Sequence, residues 1–280
     1  MIISLKMKIP DIKKILEPRW AHKPGWAVRP SGWYRSKKWT QATIPKDPDI
    51  LKKAGIRKGD KVLAIAGFYG DWATGLAEAG AKVDYSDVSR SIVDYVKKTK
   101  PKIFSSYMCS NYELVPKKPR EYDWTFTFEA CGSKQGLPIA YLRSLLNNKG
   151  GILAMLVRRG VYGGGKAKNY PRLIKKLSSI YKTNNYFKEV SVSTSEKGKY
   201  TGKLPHRFYK IKTNKNAREM AGMDLKMLDF LKCKRKIRLK EDAKKLDVTE
   251  KDLKSSILRL NRFSKIFGDK FIRDIEISLS

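Results

Sequence analysis

The residues of this chain best placed to do chemistry are two glycines and a carboxylate. Gly67 and Gly70 interrupt and follow the apolar run Val62 to Ala66. Asp87 closes a second strand-like stretch about twenty residues beyond the first of them. Glycine in such a turn lets the backbone approach a bound molecule, and the helix that follows offers free N–H groups at its start. An acid at the end of the second strand can accept hydrogen bonds from ribose hydroxyls. The order strand, glycine turn, helix, strand, acid therefore predicts a nucleoside pocket. A dinucleotide site would want G-x-G-x-x-G, which this turn lacks. The alternative is a doubly wound domain in which Gly and Ala serve only close helix-to-strand packing.

The elements that would position these groups follow from the apolar pattern. Strands are predicted at Val62–Ala66, up to Asp87, at Ile103–Tyr107, Tyr122–Phe128 and Gly151–Val157. Phe187–Thr194 and Arg207–Ile211 supply a closing antiparallel pair. Short helices are predicted at Asp11–Leu16 and Ile50–Ala54, and others at Arg90–Lys97 behind an N-cap at Ser89, Leu137–Leu146 and Pro171–Tyr181. The reading is an α/β chain built on a doubly wound, seven-stranded sheet.

From Lys61 to Ser89 the chain resembles the class I S-adenosylmethionine-dependent methyltransferases, and the seven strands fit their sheet. Gly70 keeps the last glycine of the family's first motif, and Asp87, in GAKVDYSDVS, keeps the ribose acid. Ala64, Ala66 and Phe68 stand where the first acid and first two glycines are expected. The resemblance implies S-adenosylmethionine as cofactor, held by Ala66, Gly67, Phe68, Gly70, Asp87 and Val88, with Ser110 and Asn111 beside the adenine and Glu129 after the fourth strand. In the family, acceptor-handling residues follow that strand, here Phe128 to Ser133. No [Asp/Asn/Ser]-Pro-Pro-aromatic motif stands there, which disfavours an exocyclic amine as acceptor. Catalytic residues stay open: Glu129 is a candidate base or a solvated acid, and Cys131 a candidate nucleophile or an inert buried thiol. His206, before the last strand, either reaches the cleft or is structural.

Charge is the loudest compositional feature: 61 Lys and Arg against 27 Asp and Glu leave +34 over 280 residues. Such a chain is drawn to polyanions, with binding that weakens as salt rises; a lysine-rich solvated surface is the competing account. Residues 1–46 hold four of the six tryptophans, broken by Pro and Gly. Trp26, Arg29, Trp33, Arg35, Lys37 and Lys38 could stack bases and neutralise phosphates, which favours RNA over DNA, or the arm could fold over the cleft as a lid.

The methyltransferase-like domain is expected over 47–212, and the pattern changes over 213–280. Helices at Leu225–Leu231 and Lys240–Leu246 precede a capping box, Thr249 to Asp252, that opens a helix through Leu260. Phe263 to Leu279 alternates around Gly268-Asp269, a hairpin pattern. Three helices and a ribbon resemble a winged helix-turn-helix, a small α+β unit in which Lys251, Lys254, Arg259 and Arg262 would contact nucleic acid. Three widely spaced cysteines and two histidines argue against disulfides and a metal site. With no run of about eighteen apolar residues, no membrane partner is expected and the cytoplasm is the expected location. The expected function is methyl transfer to nucleic acid, more to tRNA or rRNA than to DNA. The alternative is a nucleic-acid-binding regulator in which the methyltransferase-like domain has lost catalysis.

Overall fold

The computed structural model describes residues 3–11, 13–14, 55–65, 70–87, 89–109, 122–128, 136–156, 170–193, 203–267 and 269–279. Its elements are β1 (Ile3–Pro10), β2 (Lys61–Ile65), α1 (Asp71–Glu78), β3 (Lys82–Asp87), α2 (Arg90–Thr99), β4 (Ser106–Cys109), β5 (Trp124–Phe128), α3 (Gly136–Leu145) and β6 (Gly150–Leu156). There follow α4 (Tyr170–Tyr181), β7 (Asn184–Ser193), β8 (Lys203–Lys212), α5 (Lys215–Phe230), β9 (Lys236–Arg238), α6 (Leu239–Leu246), α7 (Glu250–Ser264) and β10 (Ile272–Leu279).

Seven strands form one sheet in the order β4-β3-β2-β5-β6-β8-β7. The first five are parallel, and β8 runs antiparallel between β6 and β7. From β2 the chain winds outward to β3 and β4, then returns to β5 on the other side, so the strand order reverses between β2 and β5. In open α/β sheets that reversal leaves a crevice at the carboxyl ends of the two strands. Both sides are covered: Trp72, Leu76, Ile92 and Val96 pack with Val62, Tyr85 and Phe126, while the other side meets α3 and α4. Two glycines set the approach of β6 to its neighbours. A Cβ on Gly151 would come within 1.8 Å of Ser144 Oγ on α3, and one on Gly150 within 1.9 Å of Ile211 O on β8.

The predicted seven-stranded sheet is thus present, with adjusted ends. The strand expected at Ile103–Tyr107 begins only at Ser106, because Phe104 turns inward to stack on Tyr85, ring centroids 5.4 Å apart. The helix predicted at Leu225–Leu231 begins ten residues earlier, at Lys215. There Asn214 Oδ1 accepts the Ala217 N–H at 2.7 Å, and the buried stripe is Ala217, Ala221, Asp224, Leu225 and Leu228. Two alanines and an acid on the inner face hide the apolar period.

The C-terminal ribbon expected around Gly268-Asp269 is not a hairpin. α7 continues through Ser264, Ile266 and Phe267 are buried, and β10 pairs antiparallel with β1 from the other end of the chain and parallel with β9. The alternation in β10 marks one strand between two partners. Lys6 faces Glu276 and Lys8 faces Asp274 on its outer side, and Lys236 Nζ lies 3.4 Å from Glu276; Met7, Ile9, Ile275 and Ile277 point to the core. Residues Ile3–Pro10, read as part of the N-terminal arm, therefore belong to this three-stranded sheet.

This C-terminal unit shares one core with the larger sheet: Leu153 and Ile211, then Leu142 and Leu177, then Leu228 and Phe263, then Ile9 and Ile277 belong to a single buried cluster. Polar groups fasten the joint. Arg218 Nη2 donates to the carbonyls of Asn147 and Asn148 at 3.0 and 3.1 Å, satisfying the chain just past the end of α3. At the centre lies Asp224, 0% exposed. It accepts from Tyr181 on α4 at 3.0 Å, from Ser256 at 2.6 Å and from the Arg259 guanidinium at 2.7 Å. Burial pushes the Asp224 carboxyl above its ordinary range against the pull of Arg259, and burial together with Asp224 pushes the Tyr181 phenol well up. Replacing Asp224 by alanine strands a guanidinium and two hydroxyls. The loss expected is about 3–5 kcal/mol, read by denaturant unfolding as a lower midpoint with one transition, since the core is continuous.

Candidate functional site

Only part of the predicted nucleoside pocket falls on described residues. Ala66, Gly67, Phe68, Val88, Ser110, Asn111, Glu129 and Cys131 lie outside them, as do Trp26, Arg29, Trp33, Arg35, Lys37 and Lys38 of the arm. Gly70 and Asp87 are described, and the fold brings both to the carboxyl side of the sheet. β2 ends at Ile65, and Gly70 immediately precedes α1; Asp87 is the last residue of β3, the neighbour of β2.

Gly70 adopts φ +77°, the left-handed region, as the N-cap of α1. A Cβ there would meet Val96 Cγ1 at 3.2 Å and the Phe104 ring at 3.4 Å. Its glycine is thus demanded by the turn and by α2, a reason independent of any ligand. Thr74 Oγ1 donates to the Gly70 carbonyl at 2.8 Å and accepts from Lys100 Nζ at 3.3 Å, which ties the first turn of α1 to the end of α2. Below the turn, Trp72 stacks on Phe126 of β5 at 5.8 Å.

Asp87 is 5% exposed. Its Oδ1 accepts the Ser89 N–H at 2.9 Å, which fixes the carboxylate as the chain leaves β3 for α2. Ser89 stands at the predicted N-cap of α2, but its hydroxyl is shared with Ser91 Oγ at 3.0 Å and does not cap the helix. Beside Asp87 in register is Cys109, the last residue of β4. Its thiol was not among the sequence candidates, because pairing between β3 and β4 cannot be read locally. Burial raises the Cys109 pKa and Asp87 and Asp94 raise it further, against Arg90, so the thiol stays protonated at neutral pH and is a poor nucleophile.

Other sequence expectations fall elsewhere. Ala64, where the family's first acid is expected, is buried between Tyr85 and Phe126 in register. Asp123, within the strand predicted at Tyr122–Phe128, sits at the opposite edge of the sheet, where its Oδ2 accepts the Lys61 N–H at 3.0 Å. His206 lies on β8 opposite Leu156, the last residue of β6, and so at the crevice edge of the sheet.

On α7, Thr249 caps as predicted: its Oγ1 accepts the Asp252 N–H at 3.0 Å. Lys251, Lys254, Leu258, Arg262 and Lys265 recur at helical spacing along the solvent-facing side, opposite buried Leu253, Ile257 and Leu260. Arg259 does not join them; its guanidinium turns inward to Asp224. The basic face therefore carries Lys251, Lys254, Arg262 and Lys265, with exposed Leu258 in their midst.

No family model matches the sequence, and no curated protein matches it. Solved structures that resemble the chain include the magnesium protoporphyrin IX methyltransferase of Synechocystis PCC 6803 with bound SAM, 15% identical over 59% of this chain and 76% of that one, with a TM-score of 0.42. A SAM-dependent methyltransferase from Aquifex aeolicus is 18% identical over 59% of this chain and 89% of its own, TM-score 0.43. The plantazolicin methyltransferase BpumL in complex with SAH is 13% identical over 73% and 96%, TM-score 0.46. Likeness at this level does not carry activity, which has to come from the chain's own residues.

Proposed function

We propose that the chain is an S-adenosylmethionine-dependent methyltransferase of the class I type that acts on nucleic acid, RNA in preference to DNA. The observation that carries the reading is Asp87, a buried carboxylate anchored by the Ser89 N–H at the end of β3, next to the crevice between β2 and β5. That is where a ribose would be held by an acid. The bound cofactor would supply a methyl group activated by a sulfonium charge and displaced in line. The protein has chiefly to hold, orient and shield the reacting partners.

In this reading Asp87 accepts from the ribose hydroxyls, and the turn Ala66, Gly67, Phe68 with Gly70 and the start of α1 flanks the rest of the nucleoside. Val88, Ser110 and Asn111 line the base. Glu129 and Cys131, which follow β5 in the sequence, would handle the acceptor, with Glu129 as candidate base. The basic face of α7 and the aromatic-basic residues Trp26, Arg29, Trp33, Arg35, Lys37 and Lys38 would hold the acceptor strand. Composition supports a polyanionic partner, since +34 on a chain of 280 residues draws it to polyanions.

Calorimetric titration with S-adenosylmethionine tests the pocket. The native chain binds and Asp87→Ala loses about tenfold to a hundredfold in affinity, the worth of hydrogen bonds to a charged acceptor. Absence of heat and of any thermal shift with the native chain would reject the enzyme. Transfer of labelled methyl to total RNA, with DNA and a metabolite extract as comparisons, then separates this reading from a regulator that binds nucleic acid without modifying it. For the α7 face, the triple variant K251Q/K254Q/R262Q is expected to lower the salt slope of RNA binding by about 2, at about 0.7 per single-strand phosphate contact. An unchanged slope counts against that surface.

A further inference from the structure

The edge of the large sheet opposite the crevice is a second concentration of positive charge. Lys61 and Lys82 open β2 and β3 and stand in register. Lys149 directly precedes β6, and Lys212, the last residue of β8, pairs with Gly150. Backbone bonds join these ends: Lys82 N–H to Asp60 O at 2.8 Å, Asp123 N–H to Lys61 O at 2.8 Å, Lys149 N–H to Asp123 O at 2.9 Å. Lys61, Lys82, Lys149 and Lys212 are all exposed. From β3 across β2, β5 and β6 to β8 there are four inter-strand steps, so the row runs about 19 Å at about 4.8 Å per step.

The acids of this edge offset Lys149 and leave Lys61, Lys82 and Lys212 without a side-chain ion pair among the described residues. Buried Asp60 is engaged by the Arg57 N–H, Trp124 Nε1–H and Lys149 Nζ at 3.0, 2.8 and 2.8 Å. Asp123 takes the Lys61 N–H and lies 4.0 Å from Lys149 Nζ, while Glu78 is exposed at the end of α1. Lys210 lies just behind this edge. Its ammonium is half-buried over the Trp124 ring, 4.9 Å from the centroid, with no carboxylate among the described residues pairing with it. Burial first, and then Lys212, Arg57 and Lys149, depress its pKa. Cations gathered this closely repel one another, and a polyanion laid along Lys61, Lys82 and Lys212 would relieve that repulsion.

An aromatic side chain lies beside the β8 end of the row. Tyr186 on the outer strand β7 is opposite Lys210 in register and 52% exposed. Exposed aromatic faces among cations are what an unpaired base requires for stacking, whereas an acidic peptide has no need of them.

We propose that this edge, formed by Arg57, Lys61, Lys82, Lys149, Lys210 and Lys212 with Tyr186 at its end, is a docking surface for a single-stranded phosphodiester backbone. It is separate from the crevice and about 17 Å from it, the length of a five-residue strand such as β2. The identity of the polyanion rests on the nucleic-acid reading above. A substrate engaging both edges must be long enough to pass from one to the other around the domain.

The test measures binding of the intact chain to a long fluorescein-labelled single-stranded RNA over a range of salt, with thermal melts to establish that each variant is folded. K61Q/K82Q/K212Q removes three exposed cations that make no side-chain ion pair among the described residues, and is expected to lower the salt slope by about 2. Tyr186→Ala is expected to weaken binding about fivefold to a hundredfold without altering the slope, and Tyr186→Phe to bind as the native chain does. If the native chain binds, K251Q/K254Q/R262Q weakens it, and both the lysine triple and Tyr186→Ala are silent, the edge is overturned and the nucleic-acid reading stands. A lowered slope with Tyr186→Ala silent overturns the single-strand assignment. A native chain that fails to bind RNA overturns this inference together with the reading on which it rests.

Discussion

The seating of α5 is the constraint on which the rest of the molecule depends. One face of this helix closes the core beneath α3 and α4, and the same helix supports α7, so any slip along its axis would open both. Apolar packing alone would tolerate such slips, because Ala217, Ala221, Leu225 and Leu228 present similar surface at each turn. Asp224 does not tolerate them. A carboxylate fully removed from water is costly unless its donors are in place, and here they come from α4 on one side and α7 on the other. The buried charge thus selects one register for the joint, and α7 with its basic face is held rigidly against the sheet that carries Asp87.

That joint also explains why the ends of the chain meet. α7 packs along β1, and the Lys8 N–H donates to Asn261 on α7 at 3.1 Å. β10 would be left with an open flank if β1 were elsewhere. An unpaired strand edge is a template for aggregation. Here β1 covers that flank through eight residue pairs, from Ile3↔Leu279 to Pro10↔Ile272. Charges on the outer side, Lys6 against Glu276 and Lys8 against Asp274, support the antiparallel register.

What could be read from the amino-acid order was what depends on neighbours in sequence. The run from Lys61 to Asp87 folds as strand, helix and strand because its apolar residues, Gly70 and the polar breaks all act within a few positions, and the Thr249 cap is local in the same way. The errors arose where a distant partner decides. The alternation of β10 is correct for a strand, yet nothing near it says that the other strand lies at the beginning of the chain. Arg259 occupies a position on α7 that reads as surface until Asp224, thirty-five residues away, is brought beneath it. The first half of α5 is hard to read because Ala217 and Ala221 mark its buried face with small residues, which are what close helix packing requires. For the site, Asp87 was legible from its place after a strand, whereas its neighbour Cys109 needed the pairing of β3 with β4.

Gly70 shows how a motif can have two explanations. Its left-handed backbone and its approach to Val96 and Phe104 require glycine whether or not a nucleoside lies above it, so the glycine is weaker evidence for a pocket than its place in a motif suggests. Asp87 is stronger, since a strand end costs nothing to finish with an apolar or solvated residue. Burying a carboxylate there, with the Ser89 N–H to hold it, incurs a desolvation cost. The two edges of the sheet then differ in kind. The carboxyl edge places an anchored anion beside a crevice and suits a small polar ligand, while the amino edge lines up cations that suit a polymer. A chain whose cations outnumber its acids so heavily can attract a polyanion on any face, and a defined position requires something more than charge, such as an exposed aromatic ring among the cations.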